Sequence, residues 1–254
     1  GHYGITYYLV LINCLILFFL GRREVKGPVS AVSAILFLFL IGGYNYASYS
    51  AKLHKVADEK HQLVGIVQGN IKQSMKWSAD RKLATVQKYV ELSEKLSNDN
   101  LPVMIVWPET ALPFYPNDKE LFQPVLQFID NKKTTVLTGV PWYEIVNRET
   151  REIKYYNSAL LLGTNSTILG RYYKSHLVPF GEYVPLEDIL FFISPLVEKA
   201  GNFSSGTVGT PLQVGGMRSG VLICYESIFP EIARAWSRNG ANLLVNITND
   251  AWYG

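Results

Sequence analysis

Charge is what the start of this chain lacks. No Asp, Glu, Lys or Arg occurs from Tyr3 to Leu20 or from Gly27 to Ala51. Core helices rarely run so far without a charged face, and about 20 helical residues at ~1.5 Å each span a ~30 Å hydrocarbon layer. The pattern predicts two transmembrane helices within residues 1–51. It argues against a cleaved signal peptide, because the basic cluster follows the first apolar run. That cluster, Arg22, Arg23 and Lys26, makes a short basic loop of the kind retained in the cytoplasm. Everything after about Ser50 then lies outside. Tyr3, Tyr7, Tyr8, Tyr44, Tyr46 and Tyr49 would meet the outer interface, where a ring can be buried and its hydroxyl stay wet.

Cysteine is also scarce. Of the two, Cys14 lies in the first apolar run and reads as a small apolar residue, leaving Cys224 as the lone thiol of the outer domain. Oxidising compartments usually pair their cysteines, so Cys224 is either incidental or reactive. Other signatures are missing too. The net charge of +3 forms no basic stripe, which excludes a nucleic-acid partner. The four His residues lack the i, i+4 spacing of a zinc site. No G-x-S-x-G elbow or phosphate-cradling glycine loop occurs, and nothing calls for a metal or a cofactor.

What is present is strand–helix alternation. Buried strands are predicted at Leu63–Val67, Val103–Val106, Thr134–Val140, Val221–Cys224 and Leu243–Ile247, and helices at Ser78–Ser97, Asp118–Asn131 and Pro230–Asn239. A hairpin joins Tyr155–Leu162 to Thr167–Tyr173 around Gly163-Thr164-Asn165, and Ser175–Thr210 is a long irregular stretch. The expected fold is α/β with a mixed sheet. Residues 1–51 form the membrane hairpin, residues 52–61 a linker and residues 62–254 the catalytic domain. The absent initial Met, and an ending at Gly254 with no closing helix, suggest a piece of a longer chain.

Three reactive side chains stand at C-terminal strand ends, where α/β sheets build their sites: Glu109, Lys174 and Cys224. The thiolate is the nucleophile of cysteine chemistry, and Lys174 and the helix near Pro230 are expected to lower the thiol pKa. Glu109 can take the thiol proton, and Lys174 can steady an oxyanion. Taken singly, Glu109 reads first as a solvated loop carboxylate and Lys174 as a surface charge, while Cys224 equally suits a packing role; only the combination points to catalysis.

The segments VQGNI (67–71), WPET (107–110), YYNSALLL (155–162), YYKSHLVPFGEYVP (172–185), ICYESIFP (223–230) and NITNDAWYG (246–254) closely resemble the apolipoprotein N-acyltransferase family of the nitrilase superfamily. The resemblance implies a nitrilase-type α-β-β-α sandwich preceded by transmembrane helices, both parts incomplete in this chain. It implies Glu109 as general base, Lys174 as catalytic lysine and Cys224 as nucleophile. Glu182 matches a second essential carboxylate that would hold Lys174 charged and aimed. Tyr225 and Glu226 match required neighbours of the nucleophile, the Tyr225 N–H completing an oxyanion site. Trp77 matches a tryptophan near the substrate entrance, and equally suits a core position. Lys72 departs from the family's usual Pro. The implied partners are a phospholipid acyl donor, a diacylglyceryl apolipoprotein acceptor and the lipid bilayer. The implied place is the bacterial inner membrane, multi-pass, with the catalytic domain periplasmic. A membrane-tethered amidase or nitrilase and a non-catalytic anchored binding module are the alternatives; the membrane helices give the first no purpose, and the second predicts ordinary thiol reactivity.

Overall fold

A computed structural model describes residues 2–21, 26–57, 62–71, 81–96, 102–183 and 202–249. Trp77 and Lys72 therefore lie outside the described residues. The chain divides into two compact units, residues 1–61 and 62–254.

The first unit holds α1 (His2–Leu20) and α2 (Lys26–Ala57). Among the described residues, one stretch is long and apolar enough to cross a membrane, Val32–Lys52 in α2, and none of it is buried in protein. The apolar stretch of α1, Tyr3–Phe18, is shorter. Helix α2 also runs on to Ala57, through the start of the expected linker. Residues 51–57, AKLHKVA, contain neither Gly nor Pro to end it.

Among its described residues the second unit holds eight strands in two sheets. The larger has the order β1 (Val64–Ile66), β2 (Met104–Val106), β3 (Val136–Asn147), β4 (Glu152–Gly163), β5 (Thr167–Tyr173). Its first three strands are parallel and the last two pairings antiparallel. The smaller has β6 (Leu212–Val214), β7 (Met217–Ile223) and β8 (Leu243–Ile247), with β7 and β8 parallel. Helices α3 (Lys82–Lys95) and α4 (Lys119–Lys132) serve the larger sheet, and α5 (Pro230–Arg238) lies against β7.

Strand phase explains the layering. Successive side chains point to opposite faces, and here both faces are covered, so inner strands read as continuous apolar runs. Ile105, Trp107, Val136, Leu160 and Leu162 join one core with Val86, Tyr89, Val125 and Ile129 of α3 and α4. Met104, Val106, Leu137, Ala159 and Leu161 join a second core with Val221, Ile223, Ile232 and Trp236. Each fully buried side chain of this kind contributes about 1.5–3 kcal/mol. Trp107 fixes the end of β2: its indole stacks on Tyr89 at 5.3 Å, and its Nε1 donates to Ser93 Oγ at 2.9 Å. Helix α4 is capped by Asp118, whose carboxylate accepts from Leu121 N, and ends at left-handed Lys133.

Strands β3 and β4 extend beyond the expected spans, to Asn147 and back to Glu152, and β6 has no counterpart in the expected elements. Pro141 and the charged residues beyond it mask the longer arms, which project with exposed Ile145, Val146 and Ile153. β6 has only three residues, too few to show a period.

Candidate active site

Four segments supply the site, and local backbone explains how. On β4, Asn157 is in phase with Ala159 and Leu161, which face the smaller sheet. On β5, Tyr172 faces the same core, and Lys174, two residues on, bonds through its backbone N to Asn157 O at 2.9 Å. Lys174 and Asn157 are thus neighbours on one face. Glu109 follows β2 in a turn closed by Ala111 N to Pro108 O at 3.2 Å. That turn crosses β3 at Gly139, where a Cβ would run into Thr110 N and lie 2.6 Å from Glu109 Cα. Only glycine admits this approach. Gly206 plays the same part behind Lys174: a Cβ there would lie 2.5 Å from Tyr173 Cβ.

Three non-glycine residues at or beside these groups sit in the left-handed region: Thr110 (φ 50), Phe180 (φ 60) and Cys224 (φ 53). Such conformations cost about 1–3 kcal/mol each and persist where the surroundings impose them. Cys224 turns sharply out of β7 into the 3-10 turn Cys224–Ile228.

Charge is concentrated and almost dry. Lys174 is 1% exposed, Glu109 5% and Glu226 0%. Lys174 Nζ donates to both Glu182 oxygens, at 3.0 and 2.9 Å. Val178 N donates to Glu182 Oε2 at 2.9 Å. An ammonium has three hydrogens, so one remains for another acceptor. Glu109 Oε1 accepts from Asn157 Nδ2 at 2.7 Å and Oε2 from Asn249 N at 3.1 Å.

Glu226 does something different from the other two carboxylates. Its Oε1 accepts from Tyr172 OH, Ser175 N, Ser175 Oγ and His176 N at 2.7–3.0 Å, and its Oε2 from Ile223 N at 2.8 Å. It clamps the segment carrying Lys174 to the turn carrying Cys224. Burial and then the Glu226 charge push the Tyr172 phenol far above its ordinary pKa, so it remains a donor.

The thiol departs from expectation. Burial first, then the Glu109 carboxylate, push the Cys224 pKa up. The Thr248 side chain, the Lys174 ammonium and the Tyr225 N–H act the other way and do not prevail. The expected lowering by Lys174 and a helix end is therefore corrected: loss of water and then the Glu109 carboxylate outweigh the ammonium, which is itself paired with Glu182. Both leading causes favour the protonated thiol over the thiolate. Tyr225 is 40% exposed, its ring edge-on to Phe229 at 5.3 Å; Phe229 also meets His176 at 3.8 Å.

Glu109, Lys174, Glu182, Cys224 and the Tyr225 N–H thus meet in one place, with Glu226 tying two of their segments together. Sequence reasoning missed Asn157, Thr248 and Asn249. A signal existed for Asn157: a polar residue in phase with Ala159 and Leu161 in an apolar strand. Thr248 meets the thiol through its side chain and Asn249 meets Glu109 through its backbone N; both depend on their place just after β8, which residue type does not reveal.

The carbon-nitrogen hydrolase family matches residues 63–254, and the chain belongs to that family. The whole chain is 38% identical to an apolipoprotein N-acyltransferase of Geobacter metallireducens and 34% identical to one of Methylococcus capsulatus. It spans 49% and 48% of those relatives' lengths, about half of each. Among solved structures, Nit3 of Saccharomyces cerevisiae, a member of branch 10 of the nitrilase superfamily, superposes with a TM-score of 0.50 at 20% identity. That match covers 74% of this chain and 65% of Nit3, and supports the nitrilase-type sandwich.

Proposed function

We propose that the protein to which this chain belongs transfers an acyl chain from a phospholipid to the terminal amino group of a diacylglyceryl-cysteine on apolipoproteins. One observation carries the proposal: a cysteine in a left-handed elbow, acted on jointly by the Glu109 carboxylate and the Lys174 ammonium. The relatives' name, apolipoprotein N-acyltransferase, supplies the substrate class.

Cys224 Sγ first attacks the ester carbonyl while its proton passes to Glu109. The oxyanion takes the remaining Lys174 hydrogen and the Tyr225 N–H; losing one such donor costs about a hundredfold to a thousandfold in rate. Collapse expels the lysophospholipid alkoxide, which takes the proton from Glu109 and leaves a thioester. The acceptor amine then attacks, Glu109 removes its proton, and the amide forms as Cys224 departs and is reprotonated. The dry surroundings of Lys174 and Glu109 favour this chemistry over thioester hydrolysis.

The membrane placement belongs to the same proposal. Each CH₂ favours the bilayer by ~0.8 kcal/mol, so both lipids stay there and the thiol must be presented to them. Exposed Tyr225 and Ile228 on the elbow turn suit an acyl chain. The catalytic unit lies on the periplasmic side of the bacterial inner membrane, the α2 segment acting as one of several anchors.

Weighing the intact protein after incubation with phospholipid alone tests this. An acyl adduct is expected on the parent and absent from Cys224→Ser; no adduct on either protein rejects the scheme.

A further inference from the structure

Two carboxylates of like charge, Glu109 and Glu182, approach one another through a single neutral group. Asn157 Nδ2 lies 2.7 Å from Glu109 Oε1 and 2.8 Å from Glu182 Oε1. Both neighbours are acceptors, so the nitrogen must face them, and its two hydrogens serve one each. We propose that the Asn157 amide is the positioning residue that couples the base Glu109 to the Lys174–Glu182 pair, setting how far apart the two carboxylates stand and where Glu109 points.

Few side chains suit the task. Ser and Thr have one donor, a lysine would add charge, and Gln is a methylene too long for the pleat position Asn157 occupies. The backbone already holds Asn157 against Lys174, through Lys174 N to Asn157 O. One residue therefore touches all three charged members of the site. Asn157 is 8% exposed, so water offers poor compensation for lost donors. The titratable groups gathered around it, among the described residues, are Glu109 after β2, Lys174 and Glu182 after β5, and Cys224 after β7. Glu226 is engaged nearby with Tyr172, Ser175, His176 and Ile223.

The inference rests on the acyl-transfer reading above, and two replacements separate positioning from mere packing by the sign of their pH dependence. Asn157→Leu keeps the branching but removes both donors. Glu109 then binds its proton more tightly than in the parent and is lost as a base at low pH, so the ratio of variant to parent rate should rise with pH. A change approaching tenfold is expected between about pH 4 and about pH 7, the range in which a carboxyl near its ordinary value and one raised by one unit differ in ionisation. Asn157→Asp keeps the shape and adds a third carboxylate. At low pH one of the three holds a proton and can donate as the amide did; as pH rises that proton is lost and repulsion parts Glu109 from Glu182. Its ratio to the parent should therefore fall with pH, again about tenfold.

The readout is single-turnover acylation of Cys224 in the intact protein in detergent, with thermal melts to establish folding. Ratios that are flat with pH, or that slope the same way in both variants, overturn the proposal. Should Asn157→Leu not fold, the Asn157→Asp slope alone decides. A second readout needs no lipid. Iodoacetamide alkylation of Cys224 should reach half-maximum about one pH unit higher in Asn157→Asp, because a third carboxylate faces the thiol; an unchanged midpoint counts against the proposal. A parent protein that is alkylated but never acylated rejects the acyl-transfer reading and leaves the alkylation shift to judge Asn157.

Discussion

Replacing Glu109 by Gln should make the Cys224 thiol easier to ionise while it stops acyl transfer. The carboxylate is the second largest cause of the raised thiol pKa, after burial. Two unit charges about 5 Å apart interact by about 3 kcal/mol at an effective dielectric of ~20 and by about 0.8 kcal/mol in bulk water. Cys224 is only partly buried, so the removed repulsion lies between these limits. A downward shift on the order of one pH unit follows, since one unit is about 1.4 kcal/mol. The midpoint of iodoacetamide alkylation against pH measures it, with peptide masses distinguishing Cys224 from Cys14. Acylation should meanwhile fall by about a hundredfold or more, as when a general base is removed. The introduced amide of Glu109→Gln also turns one N–H toward a donor, Asn157 Nδ2 or Asn249 N, at a stability cost of about 1–3 kcal/mol. An alkylation midpoint that stays put or rises, in a protein that still melts cooperatively, would refute the electrostatic account of the site.

Three further outcomes follow from the same geometry. Gly139→Ala forces the Glu109 turn off β3, because the new methyl meets backbone and not a flexible side chain; acylation should fall at least tenfold, with a stability loss of about 1–3 kcal/mol in thermal melts. Glu182→Gln leaves Lys174 buried with half its pairing gone, and should cost about 3–5 kcal/mol, read from denaturant midpoints. Glu226→Gln puts an N–H against donors from either Ile223 or the Tyr172–His176 segment; the melt should drop, and acylation should fall although Glu226 touches no reacting atom.

The parts of the fold that alternate in plain apolar runs are legible in the sequence. Both faces of β2 and β4 are covered, so residues such as Met104–Val106 and Ala159–Leu162 carry no polar interruption. The smaller sheet is harder. β6 is three residues long, and Arg218 and Ser219 break the pattern at the start of β7, so the apolar run points to a beginning at Val221 instead of Met217. The joint presence of Glu109, Lys174 and Cys224 at strand ends is visible, because strand ends are where such sheets place chemistry. The state of the thiol is not. Its pKa depends first on how far burial strips the thiol of water, and then on the balance between the Glu109 and Lys174 charges. Spacing along a chain carries neither quantity. The coupling through Asn157 is hidden for a related reason: an Asn in a strand looks like a blemish until its neighbours across the sheet are known.

A protonated resting thiol has a consequence for where this chemistry can operate. The thiolate, not the thiol, is the species that oxidants and stray electrophiles attack. A cysteine with a strongly lowered pKa would be exposed to both continuously, and most of all in the oxidising compartment proposed here. With burial and Glu109 holding the proton on Cys224, the nucleophile forms only when a carbonyl is in place to receive it. At that moment the proton moves to Glu109, and the charge that had opposed ionisation disappears, because Glu109 is now neutral. The Lys174 ammonium, whose pull on the resting thiol is outweighed by burial and by Glu109, then faces the negative charge developing on the substrate oxygen. The same three groups that make the free enzyme inert therefore favour the transition state, with no rearrangement of the Glu182 and Asn157 contacts that hold them.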